Sequence, residues 1–171
     1  MVKPNNLRKV SIARLKQEMQ DTVFLSDDLA ITTIDYLRNP TSEIPVSLDG
    51  FAAMIMMSGS AETYEVRPNM LVFFRPGSII RTIRCSSDAT AYLVACSKAF
   101  VSDIQVDISA SLPIHMRFGR KPCLQVTERD VAEIRQFFQL IKTVIQSDKE
   151  RYRKEIIHTL FTAVFYLITE L

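Results

Sequence analysis

The sequence contains no tryptophan, four glycines, two histidines and three cysteines, and neither glycine nor proline occurs after Pro122. Each scarcity excludes something. His115 and His158 lie far apart, and Cys85, Cys96 and Cys123 show no C-x-x-C spacing. No clustered donor set for a structural or catalytic metal is therefore legible, and no metal is expected. An odd number of cysteines argues against a disulfide framework and for buried thiols in a reducing cytoplasm. No G-x-G-x-x-G, G-x-x-x-x-G-K-[ST] or G-x-S-x-G motif occurs, so nothing points to a dinucleotide cofactor, a phosphate-cradling loop or a nucleophile elbow. No cofactor is expected.

Long apolar runs are also missing. None approaches the roughly 18 residues of a membrane span, and the N-terminal "MVKPNNLRKVSIARLKQEM" lacks the apolar core of a signal peptide. Net charge is +2, too small by itself to argue for nucleic acid or an anionic membrane. The expectation is a protein without membrane association, in the cytoplasm.

What is present divides at Pro122. Residues 1–122 hold every glycine and proline. Their short apolar runs are separated by turn chemistry such as Ser58-Gly59-Ser60, Arg67-Pro68-Asn69 and Pro76-Gly77. Strands are expected at 23–25, 29–35, 51–57, 62–66, 70–74, 79–85, 89–96 and 114–118. That spacing suggests an antiparallel sandwich or barrel. "AAMIMM" is apolar on both faces, as expected of a strand inside a closed barrel or between a barrel wall and packed helices.

Residues 123–171 are built to be helical. Thr127-Glu128-Arg129-Asp130 is a capping-box pattern, and Val131, Ile134, Phe138, Ile141 and Ile145 follow at helical spacing. Ser147-Asp148-Lys149-Glu150 repeats the pattern and is expected to open a second helix. That helix is apolar over two stripes, Tyr152-Ile156-Leu160-Val164-Leu167-Leu171 and Ile157-Phe161-Phe165-Ile168. One stripe can pack inward. The other is expected to be the interface of a homodimer, with Ile157, Phe161, Phe165 and Ile168 as its residues. By pattern the chain stops mid-helix, as expected of a piece of a longer protein. The basic run 149–154 reads as a solvated helix start, and "RFGRKP" (117–122) as an exposed turn.

The order of parts resembles the N-terminal regulatory domain of AraC-type transcription regulators, in particular those abundant in Bacteroides-like bacteria. The resemblance rests on "FAAMIMMSGSAETYEVRPNMLVFFRPGSIIR" (51–81), "ATAYLVACSKAFVSDI" (89–104) and "VTERDVAEIRQFFQLI" (126–141). Within them are Gly59-Ser60 at a strand end, an "N-x-L-x-F-x-x-P-G" hairpin from Asn69 to Gly77, and a Ser-x-x-Phe segment from Ser97 to Phe100.

The resemblance implies an α+β domain: an antiparallel, cupin-like β-barrel of jelly-roll type (1–122), then an antiparallel two-helix hairpin that dimerises (123–171). It implies a small-molecule effector, and DNA contact only through a separate C-terminal helix-turn-helix domain. On this reading the chain is a regulatory module and not an enzyme. A cupin-type enzyme, or a free-standing dimerisation module with a filled barrel, are the alternatives. Candidate effector contacts at the barrel mouth are Tyr64, Arg75, Arg81, Arg84 and Tyr92, because a polar group ending an apolar strand face can orient a ligand.

Overall fold

A computed structural model describes residues 8–18, 22–35, 46–80, 85–104, 122–148 and 150–171. The expected strand 114–118, most of 79–85, and the candidates Arg81 and Arg84 lie outside the described residues. The described part is α+β. Nine strands, β1 (Arg8–Val10), β2 (Val23–Leu25), β3 (Leu29–Asp35), β4 (Val46–Leu48), β5 (Phe51–Ser58), β6 (Met70–Phe74), β7 (Ile79–Ile80), β8 (Thr90–Cys96) and β9 (Cys123–Gln125), form two sheets. Helices α1 (Ile12–Glu18), α2 (Lys98–Asp103), α3 (Glu128–Gln146) and α4 (Arg153–Glu170) complete it.

The larger sheet runs β2-β3-β8-β5-β6-β9, all pairs antiparallel. The smaller runs β1-β4-β7, with β1 and β4 parallel. The last strand begins at Cys123, so the large sheet extends past the compositional break at Pro122 before α3 starts.

Period-two alternation explains how both faces of the large sheet are used. On one face Ala30, Ala52, Met54, Met56, Val72, Phe74, Ala91 and Ala95 meet Ile12 of α1 and Leu48 of the small sheet. On the other, Leu29, Ile31, Ile55, Leu71, Tyr92, Val94 and Cys96 meet Val131, Ile134, Phe138 and Ile141 of α3 and Ile157, Phe161 and Val164 of α4. "AAMIMM" is apolar throughout because it serves both cores.

Capping fixes the helices. Thr127 accepts from the Asp130 amide and Asp130 accepts from the Thr127 amide, closing the predicted box. Ser147 does not open α4. It is the C-cap of α3, its hydroxyl donating to the Val144 carbonyl at 2.8 Å, and α4 starts after Tyr152 with no side-chain cap. The Ser-x-x-Phe segment also has a local cause. Ser97 Oγ accepts from the Phe100 amide and donates to Asp28, tying α2 to the β2–β3 turn, while Phe100 is fully buried.

Residues 62–66 are not a strand. A tight turn puts Tyr64 at φ 66° and Glu65 at φ 52°, closed by reciprocal Ala61–Val66 hydrogen bonds of 2.9 Å. At the β6–β7 turn, Gly77 has φ +82°, a conformation that favours glycine. A Cβ on Gly50 would overlap the Cys96 carbonyl oxygen, so β5 begins where only glycine lets it pass β8.

Candidate functional site: an apolar cavity between sheet and helices

On the face toward the small sheet, the described core side chains of the large sheet are buried. Met54, Met56, Val72 and Phe74 are each at most 5% exposed there. An apolar hollow lies on the opposite face, above a small side chain. In the register of the large sheet Phe73, Ala53, Val94 and Ile31 stand in a row across β6, β5, β8 and β3. Ala53 is the smallest member of the row, and it lines the hollow with its neighbours Phe73 and Val94.

That hollow is a cavity of about 150 Å³. Its floor is Phe51, Ala53, Phe73, Val94 and Cys96. Val101 of α2 and Ile104 beyond it close one side, and Phe138, Phe161, Val164, Phe165 and Ile168 form the roof. Phe51 and Phe73 have centroids 6.4 Å apart, Phe138 and Phe161 are 5.9 Å apart, and Phe100 meets Phe161 edge-on at 5.1 Å. Half-buried Phe51, Phe73, Val101, Ile104, Phe165 and Ile168 lie between the core and the surface.

Among the described residues, the Cys96 thiol is the only ionisable group that borders the cavity. Burial pushes that thiol up to about 12, so it stays protonated and behaves as a small apolar group. Such an apolar hollow offers water few hydrogen-bond partners. It can bind apolar matter, and its described lining carries no group to polarise or attack it.

Of the sequence-predicted site residues, Tyr64, Arg75 and Tyr92 lie within the described part, and none of them lines the cavity. Tyr64 is 44% exposed on its tight turn. Arg75 lies just beyond β6 and is exposed; its amide donates to Ser78 Oγ in the hairpin turn. Neither borders the cavity. Tyr92 faces the helices, with its ring nearly parallel to Phe138 at 5.9 Å. Burial, partly offset by Arg135, pushes its phenol up to about 12.

Of the expected interface residues, Ile157 and Phe161, 0% and 8% exposed, pack in the chain's own core, while half-buried Phe165 and Ile168 line the cavity roof. In the other stripe Tyr152 and Ile156, at the start of α4, are 57% and 42% exposed, while Val164 is buried. The basic run is engaged locally, Arg153 donating to the Ser147 carbonyl and Lys154 pairing with Asp103 at 3.2 Å.

Beside α4, a broad open recess is bordered by Asp103, Glu155, His158, Thr162 and Tyr166. His158 lies edge-on to Phe100, ring centroids 4.8 Å apart. Among the described residues there is no group of three or more His, Cys, Asp or Glu side chains able to hold a metal ion. None of the described helices is long and apolar enough to cross a membrane.

Sequence reasoning missed the cavity because its cause is not local. Alternation in 51–57 and 90–96 shows that two faces exist, but only the strand register places Ala53 between Phe73 and Val94.

No family model and no curated protein matches the chain. Solved structures of similar shape include ToxT from Vibrio cholerae O395 bound to (E)-4-(8-methylnaphthalen-1-yl)but-3-enoic acid, 13% identical over 80% of this chain and 56% of that one, with a TM-score of 0.42. A second ToxT structure, from the P21 crystal form at 1.65 Å, is 13% identical over 79% and 53%, with a TM-score of 0.41. The chain thus spans little more than half the length of these structures.

Proposed function

We propose that this chain is the ligand-sensing and dimerisation module of an AraC-type transcription regulator. In this reading the two sheets are walls of a cupin-like barrel filled by side chains. The effector enters the cavity between the large sheet and α4, and the helical segment pairs with a second copy in the cytoplasm. DNA is contacted only through a separate C-terminal domain. The chain performs no catalysis and needs no metal or cofactor.

The observation that carries the reading is the position of the cavity. Its roof is α4, the helix whose other side presents Tyr152 and Ile156 outward. An occupant that fills the hollow adds contacts between α4 and the sheet and so biases the helix that also bears the exposed apolar stripe. A ligand acts at a distance only through such differential contact.

Sedimentation equilibrium of the wild-type chain and Ala53→Ile tests it. The larger side chain fills the hollow in place of a ligand. A dimer whose dissociation constant changes severalfold in Ala53→Ile supports the reading. A monomer in both forms, or an unchanged constant, counts against it.

A further inference from the structure

Resting on that reading of the cavity, we propose that its ligand is a neutral apolar molecule of about one-ring size, and that anionic ligands are rejected.

The walls supply the reason. Phe51, Phe73, Phe138, Phe161 and Phe165 offer ring faces and edges, while Ala53, Val94 and Val164 leave the gap between them. A volume of about 150 Å³ matches the hydrocarbon-lined cavities that stay dry and take up benzene-sized guests. Edge-to-face packing against several phenylalanines favours a flat or unsaturated guest. Charge decides the exclusion. Among the described residues that line the cavity, a carboxylate or phosphate would meet no cation and no side-chain hydrogen-bond donor stronger than a thiol, and desolvating an unpaired charge is prohibitive. Tyr64 and Arg75 are exposed elsewhere and do not border the cavity.

Methyl-selective NMR of the full chain, titrated with toluene and separately with benzoate, tests this, with Val94, Val101 and Val164 as reporters. Saturable toluene shifts at all three methyl sites are expected, with no saturable shift from benzoate. Ala53→Ile should weaken toluene binding by roughly tenfold or more, because a guest would overpack the filled site. Val164→Ala, which enlarges the cavity, should retain it and so guards against a fold lost by overfilling.

Benzoate binding that Ala53→Ile abolishes would overturn the neutral-ligand inference while leaving the cavity as the effector site. Toluene binding indifferent to Ala53→Ile would overturn both. Reporter shifts that follow protein concentration and not toluene would show a second copy filling the cavity, and would overturn the small-molecule assignment.

Discussion

The rings of Tyr92 and Phe138 lie 5.9 Å apart and 19° from parallel, and the Tyr92 hydroxyl in that contact is buried without a hydrogen-bond partner among the described residues. The stack joins the middle of the large sheet to α3. It therefore gains packing from the ring and loses hydration at the oxygen.

Tyr92→Phe should be neutral or stabilising by up to about 1 kcal/mol, since it deletes a polar atom whose burial is uncompensated. It should also change the alkaline limb. The folded chain holds the Tyr92 proton up to about 12, whereas the unfolded group releases it near 10.0. Stability is thus fully present below pH 10 and falls as pH rises towards 12. Cys96, raised from 9.0 to about 12 by burial, adds a loss beginning one pH unit lower. Urea unfolding at pH 8 and pH 11 checks both, and the difference between the two should shrink in Tyr92→Phe.

Phe100→Ala should cost about 3–5 kcal/mol, as expected for a fully buried phenylalanine. Phe100 is 1% exposed and meets both Phe161 and His158 edge-on. Thermal denaturation measures the loss; a change below about 1 kcal/mol would mean that α2 is not anchored as described.

Thr127→Ala should destabilise by about 1 kcal/mol through loss of the α3 N-cap. Ser147→Ala should cost less, because Ser147 ends α3 and does not begin α4. Hydrogen bonding to Thr127 holds the Asp130 carboxyl below its usual range. The contribution of the box is accordingly lost as pH falls through that lowered value. Far-ultraviolet circular dichroism of Thr127→Ala against wild type from pH 7 to pH 2 reads this out.

Ile156→Glu should weaken self-association and leave the fold intact, whereas Phe161→Glu should unfold the chain by placing a charge in the core. Sedimentation velocity with circular dichroism separates the two outcomes. A folded, monomeric Phe161→Glu would return the interface to the stripe containing Ile157.

Much of the fold is legible from local chemistry. β2, β3, β6 and β8 follow from alternation and turn residues, and α3 from its capping box and stripe. Three other features are not. Strand-like Glu62–Val66 is overridden by a turn in which Tyr64 and Glu65 take positive φ. Ser147 has the residue type of an N-cap, and only the hydrogen bond to Val144 identifies it as a C-cap. Periodicity finds two stripes on α4 but not which one the sheet and α3 bury; that depends on a packing angle no single helix encodes. The expectation of arginines and tyrosines at a barrel mouth follows from residue type, whereas the cavity lies above the small side chain of Ala53, whose neighbours only the strand register reveals.

The coupling of the cavity to α4 is measured most directly by amide hydrogen exchange across residues 157–168, compared between wild type and Ala53→Ile. The added carbons, at about 0.8 kcal/mol per buried CH₂, should slow exchange in α4 by roughly tenfold, with little change in α1 or β4 on the far side of the sheet. Equal slowing everywhere would show a global effect, and unchanged or faster exchange in α4 of a folded Ala53→Ile would contradict a cavity whose occupancy sets the hold of that helix.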